Sequence, residues 1–168
     1  MTRIIRKGQT GSSMLEFVLV GIAMIFMLIC IFEIGRGMWA YHTLAYAVRE
    51  GTRYAAMHGK GCASPNTCGT TIGGIITYMQ NAGGGFDPDN TTLTFTPQSG
   101  SATSDTITNL IGNTTAFPPS AAYAPGNTIQ ISAKYKFKTI LAMLWFGASV
   151  NDNQTYYFTA SSNELIQF

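Results

Sequence analysis

The chain has 168 residues, and only 11% of them are charged, against roughly 25% in an ordinary soluble domain. That length allows one folded domain plus an anchor. The formal net charge is +2, but Arg3, Arg6 and Lys7 all lie within the first 11 residues, and without that stretch the side chains sum to −1. No basic surface built for nucleic acid remains beyond it.

In chain order, residues 1–11 form a basic leader. Next comes Gly11-Ser-Ser-Met-Leu-Glu16-Phe17, and after Glu16 no charge appears until Glu33. Phe17 to Ile34 is an apolar run of near-minimal spanning length, about 27 Å as a helix. More Lys and Arg precede it than follow it closely, which places the N-terminus in the cytoplasm and the rest outside. A secretory signal would put its small-residue cleavage site after the apolar run. Here the Gly stands between the charges and the apolar residues. Gly35-Arg36-Gly37 is a place where the helix can bend as it leaves the membrane.

From Met38 to Met57 the pattern becomes one-sided. Tyr41, Leu44, Ala45, Val48, Thr52, Ala55 and Ala56 share one face; His42, Arg49, Glu50 and Arg53 share the other. This predicts an amphipathic helix continuous with the membrane segment, about 65–70 Å long from Ser13 to Met57. Its outer half must carry a folded head. Gly51 costs such a helix about 1 kcal/mol, which points to close approach of another element.

His58-Gly59-Lys60-Gly61 stops the helix. Cys62 and Cys68 follow, and in an oxidising compartment they can close a small disulfide loop. Cys30, inside the apolar run, reads as a free packing residue. Thr71 to Ala82 is predicted as a second helix ended by Gly83-Gly84-Gly85, with a turn at Asp87 to Asn90. Thr92 to Thr96 alternates as a strand. Ser99 to Ser104 reads as a loop, Asp105 to Ile111 is ambiguous, and Thr114 to Gly126 reads as a long loop. Asn127 to Lys138 is the clearest strand, with Ile129, Ile131, Ala133, Tyr135 and Phe137 on one face. Gln154 to Ala160 alternates again. The expected fold class is α+β: a long N-terminal transmembrane and amphipathic helix packed against a small antiparallel β-sheet, with one additional short helix.

Candidate sites are few. The five-residue gap between Cys62 and Cys68, with only His58 near, makes a poor zinc site. Gly83 to Gly85 lacks the Lys-Ser/Thr ending of a phosphate loop. Asp87, Asp89 and Asn90 lack the Gly and distal Glu of a calcium loop. No nucleophile elbow, metal-binding His pair or pair of catalytic carboxylates is present. The sequence therefore predicts neither an enzyme, a cofactor nor a metal. Arg49, Glu50 and Arg53 are either subunit contacts or a solvated helix face. The apolar run Ile140 to Phe146, led by Trp145 and Phe146, is either core or an interface to a neighbouring subunit or membrane surface.

The leader, Gly11 and Glu16 resemble a class III, type IV prepilin-like signal, in which a prepilin peptidase cuts after the Gly. A cut after Gly11 makes Ser12 the first mature residue and puts Glu16 at the fifth mature position; a cut after Gly8 would put Ser13 there. Leu15-Glu16-Phe17, Glu33-Ile-Gly35-Arg36 and Ala47-Val-Arg49-Glu50-Gly51-Thr-Arg53-Tyr54-Ala55-Ala56 further resemble the TadE-like minor pseudopilins of tight-adherence pili. The resemblance covers about the first third of the chain. One departure from the broader type IV family is the lack of Phe at the first mature position.

What the resemblance implies is a leader at 1–11, a transmembrane segment at 12–36 and an extracytoplasmic head at 37–168. Glu16, with Phe17 beside it, would act in assembly by pairing with the new α-amino group of Ser12, its own or a neighbour's. The implied partners are a prepilin peptidase, other major and minor pilin subunits, the inner-membrane assembly platform and the bilayer. The implied location is the bacterial inner membrane, then the pilus surface. Alternatives are a type II secretion pseudopilin, a single-pass anchored binding module and an anchored enzyme.

Overall fold

A computed structural model of the chain describes residues 10–58, 69–83, 86–139 and 155–167. Helix α1 runs unbroken through Thr10–Met57, 48 residues, about 72 Å at 1.5 Å per residue. It passes through Gly35 and Gly37 without interruption. The two halves of α1 differ as the sequence predicts. Among the described side chains of residues 11–32 none is buried, and only Gly21, Ile29 and Cys30 are half-buried. From Ala40 onward Leu44, Ala47, Val48, Ala55 and Ala56 are buried in the head.

The head begins with a two-residue strand, β1 (Thr70–Thr71), and helix α2 (Ile72–Ala82). The Thr71 side chain caps α2 by accepting from the Gly74 N–H at 3.1 Å. Two more of the first-turn N–H groups, which a helix leaves unpaired, donate outside it: Ile72 to the Thr115 carbonyl and Gly73 to the Asn113 carbonyl, both at 3.0 Å. The expected turn at Asp87 to Asn90 is a 3-10 turn over Pro88–Asn90.

The main sheet then follows. β2 is Thr91–Pro97, β3 Thr103–Thr106, β5 Thr128–Lys138 and β6 Thr155–Leu165. They form an antiparallel sheet in the order β3-β2-β5-β6. A second ribbon pairs β1 with β4 (Ala116–Phe117). Two loop assignments need correction and one ambiguous stretch is resolved. Thr103 and Ser104 belong to β3, not to a loop. The ambiguous Asp105 to Ile111 stretch divides into the end of β3 and a one-turn helix, α3 (Ile107–Leu110). The long Thr114 to Gly126 loop contains β4 and a 3-10 turn at Ser120–Ala122. These pieces are too short to show a period. Their anchors are single buried residues, such as Phe117, whose ring meets Phe95 edge-on at 5.2 Å.

Side-chain alternation sets the dry face. Phe95 lies opposite Ile131, Leu93 opposite Ala133, and Ala133 opposite Ala160. That face packs on α1 and α2, burying Ile75, Ile76 and Met79 with it. Each fully buried aliphatic or aromatic side chain contributes about 1.5–3 kcal/mol. Thr52, buried in α1, satisfies its hydroxyl by donating to the Val48 carbonyl at 2.7 Å. Gly51 is buried where α2 crosses: a Cβ there would overlap Met79 and touch Ile75. The close approach expected from that glycine is therefore made by α2. On the exposed side, the Asn109 amide and the Thr106 N–H hold the Asp105 carboxyl below its usual pKa.

Candidate functional site

The candidate site has two parts: the N-terminal half of α1 and the point where α1 meets the sheet. Gly11 starts the first part. It is exposed, and a Cβ added there would meet nothing. Glu16 and Phe17, one and two residues beyond Leu15 on the same helix, are exposed, Phe17 by 78%. Met14, Leu15, Leu19, Ile22, Met24, Met27 and Phe32 are each more than 60% exposed. A surface this apolar is not left to water; it belongs in lipid or against other helices. The chain's own head supplies no cover for it among the described residues.

The second part was not legible as a site in the sequence. Glu33, the first charge after Glu16, is buried to 8% exposure. The Arg36 guanidinium donates to both carboxylate oxygens of Glu33, at 3.2 and 3.0 Å. It also donates to the Lys138 carbonyl at 2.6 Å and lies 4.2 Å from the centre of the Phe137 ring. The Thr139 hydroxyl donates to Glu33 at 3.0 Å. One carboxylate and one guanidinium thus tie the end of β5 to α1 where the span ends. Gly37, one turn on, lies under the Phe158 and Phe137 rings: a Cβ there would stand 3.5 and 3.7 Å from them, in ordinary contact. The signal that could have revealed this clamp is the i, i+3 spacing of Glu33 and Arg36.

The remaining candidate residues are not brought together. Arg49 and Arg53 are exposed and Glu50 half-buried on the side of α1 away from the sheet. None of them forms an ion pair with another described residue. His42 is exposed with its ring edge-on to Tyr41 at 5.8 Å. His58 lies against Tyr54, its Nδ1 2.7 Å from the Tyr54 carbonyl, and Tyr54 stacks on Tyr78 at 4.4 Å. Among the described residues no group of His, Cys, Asp or Glu side chains is placed to hold a metal.

Trp145 and Phe146 lie outside the described residues, as do Cys62 and Cys68. Cys30 is free and half-buried. Alkylation of unreduced protein from an oxidising compartment should label at most Cys30. Labelling of Cys62 and Cys68 would contradict the expected disulfide.

The described chain is thus an exposed apolar helix of membrane length that leads without a break into a small α+β head. Residues 11–53 match the model of the family described as TadE-like protein. The match begins at Gly11 and takes in Glu16, the Glu33–Arg36 pair and Arg49 to Arg53. The combination fits a pilin-like protein associated with the tight-adherence (Tad) pilus and anchored in a membrane. No curated protein and no solved structure matches the chain.

Proposed function

We propose that this chain is a structural, non-catalytic minor pseudopilin of a tight-adherence pilus. A prepilin peptidase cuts it after Gly11, and it enters the filament or its tip. Its head stands on the extracytoplasmic side and serves assembly and adhesion. The single observation that carries this reading is the family match beginning at Gly11, on a helix whose described side chains at residues 11–32 are all exposed or half-buried. Glu16 supports it further. A carboxylate at membrane depth costs about 2.5–3.5 kcal/mol on insertion scales. No described residue of its own chain offsets that cost. The cut would create a new α-amino group at Ser12, and that charge on the chain or on a neighbour would offset it.

The working arrangement follows from the two halves of α1. Residues 12 to about 38 pack with other pilin helices. The head, held rigidly by the Glu33–Arg36 clamp, projects from the bundle. Other major and minor pilins and the inner-membrane assembly platform are its partners. Glu16→Ala tests this directly. The variant should reach the membrane at normal level but disappear from the sheared pilus fraction. Recovery in that fraction at wild-type yield would contradict the role of Glu16.

A further inference from the structure

Between α1 and the paired ends of β5 and β6 lies an apolar groove of about 460 Å³. Ile34, Met38 and Tyr41 form its helix wall; Phe137, Tyr156 and Phe158 form its sheet wall. Ile34, Met38 and Tyr156 remain 63%, 58% and 64% exposed. Relying on the reading of α1 as a membrane anchor, we propose that this groove seats a phospholipid from the leaflet on the head's side. One acyl chain lies along the groove, and the phosphate sits beside Lys138.

Three observations select a lipid. The first is continuity. Met27, Ile31, Ile34, Met38 and Tyr41 recur at helical spacing, so the helix wall of the groove prolongs one stripe of the membrane-facing surface. The second is height. Phe17 to Ile34 takes up about 27 Å of the roughly 30 Å hydrocarbon core. Ile34 to Tyr41 rises about 10 Å further, through an interfacial layer of about 5–8 Å. Trp39, Tyr41 and Tyr156, all more than 40% exposed, lie at that height, the level at which bilayers favour aromatic rings. The third is charge. Lys138 is exposed at the end of β5, between the groove residues Phe137 and Thr139, and its carbonyl accepts from Arg36, whose side chain is 41% exposed. A cation there meets the phosphate layer. A second copy's helix fits less well. One turn of a helix 10–12 Å across fills roughly 400–600 Å³, so the groove holds about one turn.

The test uses the full chain in nanodiscs of phosphatidylethanolamine and phosphatidylglycerol. A photoreactive benzoylphenylalanine replaces Tyr156 in one sample and Leu28, in the middle of the span, in another. Phospholipid adducts are expected at both positions. At 156 phosphatidylglycerol should be enriched over the bulk lipid by about fivefold, the weight of one cation near an anionic surface. Lys138→Gln should abolish that enrichment. Adducts at 156 only to a second copy, or only to residues 140–154, with lipid still captured at 28, would overturn the groove while leaving the anchor intact. Enrichment that is absent, or unchanged by Lys138→Gln, would overturn the headgroup contact. Failure to capture lipid at 28 would overturn the anchor and the groove together.

Discussion

Gly73→Ala should destabilise the head by at least about 2 kcal/mol, the cost of forcing extra volume into a packed site. Elsewhere the same change would help, because alanine is favoured over glycine inside helices by about 1 kcal/mol. Here the sign reverses for a geometric reason. A Cβ on Gly73 would stand 2.5 Å from the Ile111 carbonyl oxygen and 3.0 Å from that of Asn113. Both are backbone atoms that no rotamer change can move. They stand so close because the loop through Asn113 and Thr115 takes the Gly73 and Ile72 N–H bonds. Pushing that loop away also leaves first-turn donors unpaired. Gly112→Ala is the control, since a Cβ there meets nothing. Thermal unfolding of the full chain in detergent, followed by near-ultraviolet circular dichroism, should show a clear loss for Gly73→Ala and none for Gly112→Ala. Equal melting of the two would contradict the packing at α2.

Glu33→Ala should cost the head about 2 kcal/mol. A fully buried pair broken on one side costs roughly 3–5 kcal/mol. The value is lower here because the Arg36 side chain is 41% exposed and can regain water. Removing the carboxylate takes away both Arg36 contacts and the acceptor of Thr139. The end of β5 then loses its Thr139 tie to α1, and the Arg36 guanidinium that reaches the Lys138 carbonyl loses its anchor, so hydrogen exchange near Lys138 should speed up first. Arg36→Ala should do much the same, and the double variant should cost little more than either alone. Additive effects in that cycle would show that Glu33 and Arg36 do not act as a unit.

The sequence revealed those elements whose pattern repeats. α1 was legible because uniform hydrophobicity gives way to a one-sided stripe at Met38, and β5 because Ile129, Ile131, Ala133 and Phe137 alternate with Gln130, Ser132 and Lys134. Gly51 foretold the crossing of α2. β6 was read to Ala160 but runs to Leu165, because Ser161-Ser162-Asn163-Glu164 is polar on both faces and is held by pairing with β5 instead of by pattern. β3, β4 and α3, at four, two and four residues, span at most two periods each, too few to show a pattern. The larger omission was the Glu33–Arg36 clamp. Glu33 was visible as a charge ending the span, but its burial depends on Lys138 and Thr139, about a hundred residues later. Contacts at that separation leave no trace in local periodicity. Gly11 and Glu16 are candidates read from order along the chain, and the cleavage and pairing proposed for them rest on that order, not on the fold.

The central claim is that the chain works as a cleaved pilin-like subunit, and the mass of its N-terminus in native membranes tests that most directly. The account predicts a mature chain beginning at Ser12 in wild-type cells. It predicts an uncut chain beginning at residue 1 when Gly11 is replaced by a bulky residue. A wild-type chain that keeps residues 1–11, or that begins anywhere other than Ser12, would contradict it, because Glu16 would no longer stand at the fifth mature position.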